Sequence, residues 1–157
     1  MVSMDVTYAL EDAASDGAQW CLAQYYAVLA DRFEEGFDYN IAVQTPVEDI
    51  SWPAGAVLVA RIDGDPVGCG CIKFDRGIGY AEIKRVWVSE NARGGGVAKR
   101  LMADLEQLAA DEGASIVRLD TNRALTEAIA MYRRLDYHEI DRFSDEIYAH
   151  HWFEKSL

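Results

Sequence analysis

The stretch "VWVSENARGGGVAKRLMADLE", Val86 to Glu106, decides how the rest of the chain is read. A short apolar strand ends, an arginine and three glycines follow, and a helix starts at once. Backbone N–H groups in the first turn of a helix have no intrahelical acceptor and carry the positive end of the helix dipole. Gly94, Gly95 and Gly96 hold no β-carbon in front of those groups. An anion can reach them. Arg93 and Lys99 add charge, so the turn is physically a phosphate or diphosphate cradle.

The charge around the turn stands out against the whole. The 157 residues carry 27 acids and 15 bases, a net charge of −12. Five of those bases, Lys84, Arg85, Arg93, Lys99 and Arg100, crowd around the glycines. The acidic total argues against a nucleic-acid binder, which needs a basic face for phosphates. It suits a cationic substrate drawn in by the field. No run reaches the roughly 18 apolar residues of a membrane span. The N-terminus has no basic and apolar leader pattern. The three cysteines, Cys21, Cys69 and Cys71, lack metal-ligand spacing and read as reduced core thiols. The expectation is one cytoplasmic domain over residues 1–157, without metal, membrane or nucleic acid.

Outward from the turn, the elements alternate. Asp5–Leu10 reads as a first strand. Cys21, Leu22, Tyr25, Tyr26, Leu29 and Phe33 fall at helical spacing, with Ser15 or Asp16 as cap. Residues 35–55 read as a long loop. "AVLVARIDGDPVGCGCIKF" is a hairpin around Asp63-Gly64-Asp65, and "YAEIKRVWV" adds a third strand to an antiparallel meander over 56–88. Val97, Leu101, Met102 and Leu105 mark one helix face, ended by Gly113. "SIVRLDT" is a strand, Leu125 to Leu135 a second helix face, and "YHEIDRF" and "IYAHHWFEK" two closing strands. The fold class is α+β: a mixed, mostly antiparallel sheet of six to seven strands with flanking helices.

The cradle is not a P-loop, since G-x-x-x-x-G-K-[ST] is absent. The dinucleotide pattern begins at Gly94 and fails at Lys99. The turn instead resembles the coenzyme A site of the Gcn5-related N-acetyltransferases (GNAT): Arg or Gln, two residues, Gly, one residue, then Gly or Ala, here Arg93, Gly96 and Ala98. "LDTNRALTEAIAMYRRLDY" is similar to the family's second motif, and the resemblance covers roughly residues 56–143.

That resemblance implies the GNAT fold, acetyl-CoA as cosubstrate, and direct transfer of an acetyl group to an amine of a small molecule or peptide. It implies that the strand before the turn splays from its neighbour at a bulge. Backbone groups of Val86 and Val88 would pair with the pantetheine arm, and the Val86 N–H would hold the acyl oxygen. Gly94, Gly95, Gly96, Val97, Ala98 and Lys99 would hold the diphosphate beside Arg93. Tyr132 matches the family's helix tyrosine, the proton donor to the departing thiolate. Its spacing alone also fits core packing, on the face of Leu125 and Ile129. Glu82 is the candidate base, placed on the strand face of Val86 and Val88 by regular alternation. It also reads as a structural carboxylate, with Lys84 in reach.

Asn122 reads either as a helix N-cap or as a contact to the coenzyme arm. The family often has Asn where this chain has Leu125, which leaves that contact open. Asp136 replaces a customary Gly and is expected to alter a turn without removing the site. His150 and His151 are placed on opposite faces of the last strand, as core or pocket-lining groups. A non-catalytic acyl-CoA sensor is the competing function, and a homodimer is compatible with the sequence.

Overall fold

The computed structural model describes residues 5–42 and 45–157. Its strands are β1 (Val6–Glu11), β2 (Gly55–Ile62), β3 (Asp65–Asp75), β4 (Tyr80–Val88), β5 (Ile116–Thr121), β6 (His138–Ile140) and β7 (His151–Ser156). Its helices are α1 (Asp16–Arg32), α2 (Val97–Asp111) and α3 (Thr126–Arg134). Among the described residues, no helix is long and apolar enough to cross a membrane.

The strands form one sheet in the order β1-β2-β3-β4-β5-β7-β6. Only the β4–β5 pair is parallel, so the architecture is the mixed, mostly antiparallel α+β sheet expected. Local chemistry explains the element ends. Asp63 and Gly64 both take positive φ, 50° and 85°, as a two-residue hairpin turn requires. Ser15 Oγ accepts the Ala18 N–H at 3.2 Å and caps α1. Gly113, at φ 90°, ends α2, with Ala114 N–H bonded to Ala109 O and Gly113 N–H to Ala110 O.

Two cores cover the two sheet faces. On one, Leu101, Met102 and Leu105 of α2 pack with Ile72, Ile83 and Phe153. On the other, Cys21 and Leu22 of α1 pack with Val57, Val59, Cys69 and Cys71. All three thiols are buried within this second layer.

One feature of β4 corrects the sequence reading. Cys71 pairs with Lys84 but Cys69 with Trp87, so β4 carries one extra residue there. Arg85 sits at that bulge with φ 54°. An added residue reverses the in–out alternation. Ala81 and Ile83 before the bulge, and Val86 and Val88 after it, therefore all face α2. Glu82 lies on the opposite face from Val86 and Val88, not on theirs.

The closing strands are shorter than predicted. Residues 147–150 stay outside β7: Tyr148 accepts the Asp38 N–H on its hydroxyl at 2.7 Å and the Asn122 Nδ2–H on its carbonyl at 2.7 Å. These side-chain bonds hold Tyr148 against loops, and within the segment the His150 N–H reaches Thr121 O at the end of β5 at 2.9 Å. His150 thus precedes the strand that His151 opens. Asp136 takes φ 71°, a left-handed conformation that Asp tolerates better than most residues, and the turn after α3 is kept.

Candidate active site

The glycine turn follows β4 and opens α2. Gly94 and Gly96 have φ 84° and 82°, and a Cβ built on either would meet nothing within 4 Å. Backbone handedness, not crowding, selects glycine at these two positions. Gly95 has no such φ, and a Cβ there would make only an ordinary contact, 3.7 Å from Ala92 O. Gly96 is the N-cap of α2 and no side chain caps the helix. The first helical bond recorded from this turn is Arg100 N–H to Gly96 O at 3.0 Å. The preceding N–H groups of Val97, Ala98 and Lys99 head a cavity of about 590 Å³. Arg93, Lys99 and Arg134 line it, and none has a carboxylate within ion-pair distance among the described residues. Open glycine surfaces, free amides and three unpaired cations fit a diphosphate.

A second cleft, of about 370 Å³, runs on from Arg93, Gly94 and Ala98 to Val86, Tyr25 and Tyr132. Its origin is a strand separation. β4 and β5 pair only through Tyr80–Glu82 and Ile116–Arg118. Beyond Glu82 the strands part, and the β4 edge facing β5 is left unpaired. Its other edge stays bonded to β3, and β5 stays bonded to β7. Arg93 Nε donates to Val88 O at 3.1 Å and holds the end of this edge. Arg32 Nη1 meets Glu127 Oε2 at 2.7 Å and ties α1 to α3 across the same cleft.

Tyr132 is buried, with its ring 5.9 Å from Tyr137 and 6.2 Å from Phe153. Its hydroxyl has no hydrogen-bond partner among the described residues. Burial, then the charge of Asp120, pushes the phenol pKa up, so the proton stays on oxygen. Tyr25 on α1 is pushed up in the same way, chiefly by burial.

Tyr25 also borders a third, small chamber of about 70 Å³, with Tyr26, Phe37, Lys84, Arg85 and Asp120 on its walls. Asp120 belongs to β5 beside the splay. Its Oδ2 accepts the Ser144 hydroxyl at 2.7 Å, and Ser144 Oγ accepts Trp152 Nε1–H at 2.9 Å. Burial raises the Asp120 pKa. Ser144 and Lys84 oppose that shift; Glu82 and Glu146 add to it. A buried carboxylate with a raised pKa, next to two neutral phenols, is a better proton acceptor than an exposed one.

The sequence candidates separate into groups. Val86, Val88, Arg93, Gly94, Ala98 and Tyr132 share the central cleft, and Gly96, Val97 and Lys99 line the adjoining cavity. Glu82 lies on the third chamber's sheet face but off its lining, with Oε1 3.0 Å from Lys84 Nζ. Asn122 is buried; its Oδ1 accepts the Ala124 N–H at 2.8 Å and its amide donates to Tyr148 O. The polar groups of Asn122 therefore fasten the β5–α3 turn. His150 Nδ1 accepts the Arg123 N–H at 3.2 Å and His151 Nδ1 lies 3.3 Å from Glu139, so neither ring lines these cavities. Sequence reasoning missed Asp120, Tyr25 and Arg85. Their early signals were indirect: Asp120's place two residues before Asn122 in "LDTN", Tyr25's place on a helix face and Arg85's place among the bases near the glycine turn.

Comparison with known proteins places this geometry. The family described as "Acetyltransferase (GNAT) family" matches residues 22–137. A protein of Azospirillum brasilense named "IAA acetyltransferase" is 33% identical over 130 residues, covering 83% of this chain and 82% of that protein. The crystal structure of a GNAT-family acetyltransferase from Staphylococcus aureus superposes with TM-score 0.81 at 14% identity, over 98% of this chain and 99% of the other. A GNAT-family acetyltransferase from Elizabethkingia anophelis with acetyl-CoA bound superposes with TM-score 0.67 at 17% identity, over 97% and 98% of the two chains.

Proposed function

Because the chain belongs to the acetyltransferase (GNAT) family, we propose that it moves an acetyl group from acetyl-CoA to a primary amine by direct transfer, with both substrates bound together. The observation that carries this reading is the splay of β4 from β5. It joins the left-handed glycine turn to Tyr132 on one side and opens beside Asp120 on the other.

Acetyl-CoA supplies the activated acyl thioester. The chain's own groups do the rest. Amides of the α2 first turn, with Gly94, Gly95, Gly96, Arg93 and Lys99, hold the diphosphate. Backbone groups of Val86 and Val88 on the free β4 edge orient the arm. The Val86 N–H is aimed at the oxygen where charge develops, as an oxyanion-hole donor. Tyr132, kept protonated by its burial, donates to the departing sulfur.

The attacking nitrogen must be neutral, yet an alkyl amine has a pKa of about 10.4. Asp120 is the group we assign to take its proton, directly or through one water. Glu82 keeps a part in this reading: its charge adds to the rise that burial gives the Asp120 pKa. Should Glu82 be the base itself, Glu82→Gln would abolish turnover and Asp120→Asn would not.

The test follows free thiol from acetyl-CoA against a panel of amines, with calorimetry of coenzyme binding alongside. Thiol release that depends on the amine supports the reading. Tight coenzyme binding with no release across the panel would instead make the protein an acyl-CoA sensor.

A further inference from the structure

The charges of the molecule are almost all accounted for. Of its fifteen lysines and arginines, all but Arg85, Arg93, Lys99 and Arg134 have a carboxylate within ion-pair distance among the described residues. Acids are not scarce, since the net charge is −12. Arg93, Lys99 and Arg134 line the diphosphate cavity, where an anion is expected. Arg85 stands apart, in the chamber on the other side of the splay.

Arg85 is half-buried and held in place. Nε donates to Tyr26 Oη at 2.8 Å and Nη1 to Thr45 Oγ1 at 2.9 Å. Both partners are neutral, so they orient the guanidinium without balancing its charge. Nη2 donates to no described residue. Asp120 and Glu146 line the same chamber, but neither reaches ion-pair distance of Arg85. A partly desolvated cation without a counter-charge is unfavourable until an anion arrives. A planar guanidinium with free N–H groups is matched to a carboxylate. The walls between Arg85 and Tyr25 are aromatic: Tyr26 packs edge-on to Tyr25 at 5.6 Å and to Tyr39 at 5.1 Å, and stacks on Phe37 at 5.9 Å.

We propose that the acceptor is an amino acid or a close relative: its amine faces Asp120, its carboxylate binds Arg85, and an apolar body lies against Tyr26, Phe37 and Tyr39. This rests on the proposed acetyl transfer for the amine's role, but the carboxylate site stands on its own geometry. The acidic surface, which suits cations, and the chamber, which holds Lys84 and Arg85, then act on the two ends of one zwitterion.

The experiment compares L-phenylalanine, L-methionine and L-leucine with their amides and their decarboxylated amines. Binding to the protein saturated with CoA is read by calorimetry, and turnover with acetyl-CoA by thiol release. Hydrogen bonds to charged groups give about 1.5–3 kcal/mol, so at least one acid should exceed its amide and amine by about tenfold or more. Arg85→Gln should bring that ratio toward about one, and Arg85→Lys should leave part of it. Acids bound no better than their amides would overturn the proposal. So would an Arg85→Gln variant that weakens acid and amide equally, because that is the behaviour of a merely structural arginine. Preferential binding of the acid without thiol release would uphold the carboxylate site and sink the transfer reading, which keeps the two failures distinct.

Discussion

The cavity at the glycine turn and the chamber around Arg85 and Asp120 lie on either side of one strand, yet they are built in opposite ways. The cavity comes largely from one unbroken run, Val88 to Lys99, completed by Arg134 and its neighbours on α3. The chamber draws Tyr25 and Tyr26 from α1, Phe37 from a loop, Arg85 from the β4 bulge, Asp120 from β5 and Ser144 from the segment before β7. A site made of contiguous backbone is specified by local conformation. A site made of side chains from distant segments is specified by packing. The first tolerates little change in handedness, and the second can be altered one wall at a time.

The comparison breaks first in the cleft between the two regions, at Tyr132. Tyr132→Phe removes the proposed proton donor from the cleft while leaving the glycine turn intact. Turnover should fall about 10²- to 10⁴-fold, with coenzyme affinity within about twofold. If calorimetry shows affinity lost with the rate, Tyr132 belongs to the binding region and the division fails.

A smaller effect probes the cavity alone. Gly96→Val forces a β-branched residue into the left-handed region, at a cost of roughly 1–2 kcal/mol or more. Coenzyme affinity should weaken by about tenfold, while Gly95→Ala, free of that constraint, should stay within about twofold. Equal losses at both positions would mean that open space, not handedness, governs the turn.

The smallest effect is a shift, not a loss. As the proposed base, Asp120 must be deprotonated to accept a proton, so kcat/KM should fall as pH drops through its pKa. Burial puts that limb above the ordinary carboxylate value of about 3.9. Removing the negative charge of Glu82 lowers the Asp120 pKa, so Glu82→Gln should move the limb to lower pH. Asp120→Asn should abolish it. An unmoved limb in Glu82→Gln would detach Glu82 from the chamber.

These contrasts also explain what was legible in the sequence. Asp63-Gly64, Gly113 and the Arg93–Ala98 signature each speak for a few neighbouring residues, and the structure places a turn, a helix end and a helix start there. The family resemblance implies a bulge before the glycine turn, but not the residue at which it falls. In "YAEIKRVWV" the apolar–polar alternation breaks at Lys84-Arg85, but an arginine is an unusual occupant of positive φ, and alternation carried regularly through to Val88 puts Glu82 on the wrong face. Asp120 was hidden for a different reason. Its environment depends on Ser144 and Trp152, brought in by β7, and on the departure of β4 from β5. The last strand was overextended because Tyr148 looks like a strand residue, while its hydroxyl and carbonyl are taken by Asp38 and Asn122.

The single added residue at Arg85 has a practical consequence for re-engineering. It divides β4 into two stretches that address different compartments, so they can be varied separately. If the proposed transfer holds, a library over Lys84 and Arg85 would change which amines are admitted, and one over Val86 and Val88 would change which acyl chains fit. Deleting the extra residue would collapse that independence and scramble both selections together.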